Sequence, residues 1–109
     1  MNIVDDLKKH ELFRILKNLY YLAEKDKDIK QYLKLKEIYN RMLRDVFKRG
    51  GKEEFEWDNA RNPLDSFYTF DNFEKAGVYT DNSIEYKKKK LDCLEKAKKR
   101  MDALNRYLT

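Results

Sequence analysis

Residues 28–49 read DIKQYLKLKEIYNRMLRDVFKR and run into Gly50-Gly51. At 100° per residue, Tyr32, Leu35, Tyr39, Met42, Leu43 and Val46 fall in one apolar band, flanked by Ile38 and Phe47. Asp26 or Asp28 can cap the start, and the two glycines supply a stop. Lys48 and Arg49 complement the negative end of the helix dipole. The spacing therefore predicts a helix over about 28–49.

Upstream, Leu12, Ile15, Leu16, Leu19 and Ala23 recur at three- and four-residue spacing, widened by Phe13, Tyr20 and Leu22. His10, Arg14, Lys17 and Tyr21 lie opposite. This predicts a helix over about 3–24, joined to the next by a short turn as an antiparallel αα-hairpin. Downstream, Tyr86, Cys93, Leu94, Ala97, Met101, Leu104 and Leu108 form the stripe of a helix over about 83–108, with Leu91 at its edge.

Residues 51–80 differ in character. Glu54-Phe55-Glu56-Trp57-Asp58 alternates with period two, Ser66–Phe70 is β-prone, and Asn62-Pro63 carries turn chemistry. The expectation is an irregular, acidic and aromatic segment with a short β-hairpin. The fold class expected is mainly α. Three long amphipathic helices form a small bundle in a single domain over 1–109, with the aromatic segment packed across one end or groove.

Composition bounds the function. The chain has 109 residues, 41% hydrophobic and 41% charged, with three Gly and one Pro. Few turns across that length imply long elements, and its size suffices for a core without staples. No run approaches the ~20 apolar residues of a membrane span. The N-terminus carries acid where a signal peptide needs base. One cysteine forbids an intrachain disulfide, so a reducing, cytoplasmic setting is expected. The abundance of Lys, Asn, Tyr and Ile reflects AT-rich coding and suggests a phage or other mobile element.

No catalytic, cofactor or metal residues are assigned. His10-Glu11 would open a zinc-protease motif, but Arg14 stands where a second His is required. One His and one Cys cannot build a four-ligand zinc site of the usual kind. Gly50-Gly51-Lys52 lacks the spacing of a phosphate loop. Cys93 on the buried stripe reads as a small apolar residue, and His10 as a solvated one. The chain is expected not to be an enzyme.

Two surfaces remain as binding candidates. The net charge of +5 divides as +5 over 1–50, −4 over 51–80 and +4 over 81–109. On the last helix, acids precede bases at four-residue spacing, as in Glu95/Lys99 and Asp102/Arg106, giving a self-neutralising face. On the second helix, Lys30, Lys34, Arg41, Arg44 and Lys48 form a stripe opposite the apolar band, with Glu37 the only acid among them. Such a stripe suits phosphates or an acidic protein, although Lys is also simply a good helix former on exposed faces. No winged helix, ribbon-helix-helix or aromatic RNA-binding motif accompanies it.

The other candidate comprises Phe55, Trp57, Phe67, Tyr68 and Phe70, either plugging the bundle or standing exposed as a protein-binding anchor. Phe73 and Tyr79 extend the same cluster. The expected function is a non-enzymatic interaction protein, a small adaptor or inhibitor whose partner is another protein. A basic DNA- or RNA-binding accessory protein is the alternative, and a self-assembling component, such as a homodimer, the third.

Overall fold

The computed structural model describes residues 3–26, 28–47, 49–77 and 83–108. Four helices follow one another: α1 (Ile3–Tyr21), α2 (Ile29–Val46), α3 (Lys52–Lys75) and α4 (Ser83–Leu104). A π turn over Leu22–Asp26 extends α1, and a 3-10 turn over Asn105–Tyr107 extends α4. The mainly α class and the bundle hold. No strand occurs among the described residues, and where a hairpin was expected there is a 24-residue helix.

The chemistry of α3 explains the difference. Trp57, Ala60, Arg61, Leu64, Phe67, Tyr68 and Asp71 are buried at helical spacing. Two of these inward positions carry charged side chains, so hydropathy alone breaks the period. The apparent alternation around residue 56 is also resolved. In a strand Phe55 and Trp57 would share a face, but two helical positions are 200° apart, and Phe55 is 65% exposed while Trp57 is 0% exposed. The third apparent breaker, Pro63, lies inside the helix. A proline there leaves the carbonyl four residues earlier without its donor, and Arg100 Nη1 on α4 donates to that Asn59 carbonyl at 2.8 Å.

Local signals fix the helix ends. Asp28 Oδ1 accepts from the Gln31 amide at 3.1 Å, capping α2. Gly50 adopts φ 82°, a left-handed conformation suited to glycine. Glu54 reaches back to accept from the Gly50 amide at 2.6 Å, and with Glu53 it places acid in the first turn of α3.

Contacts between helices run in opposite directions along neighbouring pairs. Glu56 meets Arg106 and Asp71 meets Lys90, so α3 and α4 are antiparallel. Trp57 meets Tyr39 and Asp65 meets Tyr32, so α2 and α3 are too. Lys9 and Phe13 of α1 meet Glu53 and Trp57 in the same order, setting α1 parallel to α3 across the bundle. The arrangement is an up-down-up-down bundle. Leu12, Leu16, Leu19, Ala23, Tyr32, Tyr39, Trp57, Leu64 and Leu104 form its centre.

The bundle measures 53 × 24 × 24 Å, with a radius of gyration of 15.1 Å. A globular chain of this length has about 13 Å, and α3 itself is only about 36 Å long, so the helices are staggered. Tyr32, near the start of α2, already meets Tyr68. The end of α3 and the start of α4 therefore reach past the first hairpin, joined by Lys90 to Asp71 at 3.0 Å and to Glu74 at 2.6 Å.

Candidate binding surface on the second helix

Electrostatics divides the bundle. Most acids of α3 face cations on neighbouring helices: Glu53 with Lys9, Asp65 with Lys36, Glu56 with Arg106, and Asp71 and Glu74 with Lys90. Most of the acidic charge of residues 51–80 is thus engaged within the chain.

Inside the α2–α3 seam, Arg61 donates to Asp65 and, at 3.0 Å, to Asp58, while the Tyr32 hydroxyl donates to Asp65. Burial would lower the Arg61 pKa, but Asp58 and Asp65 outweigh it and hold the guanidinium charged. Burial, aided by Asp65, raises the Tyr32 hydroxyl pKa. The Tyr39 hydroxyl, likewise raised by burial, donates to the Trp57 carbonyl at 2.5 Å. These groups hydrogen-bond one another across the seam, while the buried Arg61 Nε has no hydrogen-bond partner among the described residues. Cys93 is partly buried, and burial pushes its thiol pKa up, the reverse of an activated nucleophile. His10 is exposed on α1.

The aromatic candidates separate. Trp57, Phe67 and Tyr68 are core residues. Trp57 stacks with Phe47 at 5.8 Å and meets the edge of Phe13 at 6.4 Å. Phe70 is partly buried, 6.0 Å from Tyr86 and beneath the Lys89 ammonium. Phe55 is exposed at the start of α3, and Phe73 is exposed near its end, so the exposed members are not brought together. Tyr79 lies outside the described residues.

The basic stripe is brought together. Lys30, Lys34, Arg41 and Arg44 are all exposed on α2, whereas Lys48 lies outside the described residues. Among the described residues only Arg41 of the four pairs with an acid, Glu37, at 3.0 Å. Arg44 borders a small polar cleft with Asn40, Glu54, Asp58 and Arg61.

Sequence reasoning passed over Leu33 and read Ile38 as a flank of the apolar band, and both stand beside this stripe. Leu33 is 53% exposed and Ile38 is 48% exposed. Leu33 was legible as an outlier, since at helical spacing it falls well off the band of Tyr32, Leu35 and Tyr39. Ile38 contributes to a groove of about 370 Å³ with Leu22, Gln31, Lys34 and Leu35, where the π turn meets α2.

A larger groove of about 550 Å³ lies between α1 and α4, lined in part by Phe13, Tyr20, Glu24, Lys98 and Asp102. Its Lys17 already sits over the Phe13 ring at 4.9 Å. Burial and then Glu24 push the Tyr20 hydroxyl pKa up to about 12. Its charges are mixed in sign and partly committed internally.

No helix among the described residues is long and apolar enough to cross a membrane, and no group of metal-ligating side chains occurs among them. No protein-family model, no curated protein and no solved structure matches the chain.

Proposed function

We propose that this protein is a non-enzymatic adaptor or inhibitor that binds another protein, and that the outer face of α2 is its contact surface. The supporting observation is the combination on that face. Four exposed cations share one line with the acid Glu37, and Leu33, Ile38 and the acid Asp45 stand exposed beside them. Interfaces combine a polar rim with apolar anchors, and this face offers both. The acids of α3 are turned toward neighbouring helices, so the surface offered to a partner is basic.

A photo-activated crosslinker placed at position 34, with position 99 on α4 as control, tests this in host extract. A protein crosslinked from 34 and not from 99, unchanged by nuclease, supports the reading. Equal labelling from both positions, or none from 34, contradicts it.

The line of Lys30, Lys34, Arg41 and Arg44 favours a second reading, a DNA- or RNA-binding accessory protein. Each phosphate neutralised releases a counterion, so such binding would weaken steeply with salt. Lack of binding to duplex or single strands at ~50 mM salt, well below physiological ionic strength, removes that reading.

A further inference from the structure

We infer that the groove between the π turn and α2 receives an acidic amphipathic helix of a protein partner. This rests on α2 being the binding face and adds the chemistry of the occupant.

Leu22 and Leu35 are half-buried and Ile38 is half-exposed, giving the groove an apolar lining about 370 Å³ in extent. Leu35, Ile38 and Met42 follow at three- and four-residue steps, and Met42, also half-buried, continues the row for another turn. A row of that spacing matches the i, i+3, i+7 anchors with which an amphipathic helix lies in a groove. Lys34 borders the groove, and Arg41 lies two turns further along the same margin, about 10 Å on at 1.5 Å per residue. Acidic residues flanking the apolar stripe of an incoming helix would meet these two cations.

Charge complementarity selects the sign of the partner, because the exposed cations Lys30, Lys34, Arg41 and Arg44 outnumber the exposed acids Glu37 and Asp45 on α2 and leave its outer side net basic. The apolar lining selects its class. A phosphate backbone would satisfy Lys34 and Arg41 while leaving Leu35 and Ile38 facing water. An amphipathic helix satisfies both.

The test uses the full chain and three fluorescein-labelled probes in an anisotropy titration at ~50 mM salt, where screening is weak. The first is an 18-residue peptide with Leu at i, i+3 and i+7 and Glu elsewhere on its flanks. The second is the same composition scrambled, and the third is a 20-base-pair duplex. The inference expects the amphipathic peptide to bind roughly tenfold tighter than its scrambled form, a difference worth about 1.4 kcal/mol. Ile38→Ser and Lys34→Glu should each weaken that binding about fivefold or more, on the scale of a groove anchor. Both positions are exposed, and unchanged circular dichroism and melting confirm that each variant folds. Equal affinity for scrambled peptide, or indifference to Ile38→Ser, overturns the groove while leaving α2 as a polyanion-binding surface. Preference for the duplex overturns it in favour of nucleic acid. Absence of binding by every probe also overturns it, whereas the crosslinking from position 34 judges the adaptor reading separately.

Discussion

Arg100 on α4 donates its Nη1 hydrogen to the Asn59 carbonyl on α3 at 2.8 Å, and Pro63 is the reason that carbonyl is free. A helix interrupted by proline loses one internal hydrogen bond. Here the orphaned acceptor becomes a tie between two helices. Arg100→Ala should destabilise by ~1–3 kcal/mol, the cost of a charge-assisted bond and a stranded acceptor. Pro63→Ala restores an amide donor at position 63, so the same Arg100→Ala change should cost clearly less in that background. Denaturant unfolding of the double-mutant cycle checks this, and additive effects would refute the link.

Trp57 anchors the centre of the bundle rather than its surface. It is fully buried, stacked on Phe47, and its indole N–H has no hydrogen-bond partner among the described residues. Its emission should be blue-shifted in the free protein. Trp57→Ala should destabilise by about 3–5 kcal/mol, as large core truncations do. Emission resembling a hydrated indole, with little loss of stability on substitution, would contradict the packing.

The overhanging end of α3–α4 should be acid-sensitive. Burial alone would raise the Asp71 pKa, but Lys75 and Lys90 outweigh it and hold the carboxyl below its ordinary range. A folded pKa below the unfolded one, about 3.9, gives stability that is present above that value. It is lost as pH falls through the folded pKa. Lys90 is shifted upward: burial opposes its charge, and Glu74 and Asp71 outweigh burial. Its contribution is present below the unfolded lysine pKa, about 10.4, and fades as pH rises through the folded one. Urea midpoints for the parent and Asp71→Asn should differ near neutral pH and converge toward pH 2. A constant difference across that range would refute the assignment.

Charge reversal on α2 separates folding from binding. Lys34→Glu with Arg41→Glu should change unfolding free energy by less than about 1 kcal/mol, since both side chains are exposed and exposed substitutions have small effects. A large loss, read from thermal or denaturant melts, would mean that the stripe supports the fold itself.

Legibility followed the purity of each pattern. The core row of α2 was visible because Tyr32, Tyr39 and Leu43 alternate with charged residues at a clean helical period. The first and last helices were visible for the same reason. α3 was hidden because Arg61 and Asp71 occupy inward positions and Pro63 reads as a stop. Their compensating partners, Asp58, Asp65, Lys75, Lys90 and Arg100, lie on other turns or on other helices. Asp58, Asp65 and Lys75 sit three or four residues away within α3, whereas Lys90 and Arg100 come from α4, and that tertiary part of the pairing lies outside any local window. The basic stripe was legible from spacing. The exposure of Ile38 was not, because it depends on where the π turn leaves α1 relative to α2.

We propose that a protein partner docks on the outer face of α2. Amide hydrogen exchange, measured on this protein alone and in its crosslink-identified complex, tests it most directly. Added protection is expected to concentrate over residues 30–44 and the π turn at 22–26, with α3 and α4 unchanged. Protection confined to α3 or α4, with α2 exchanging as in the free protein, would contradict it.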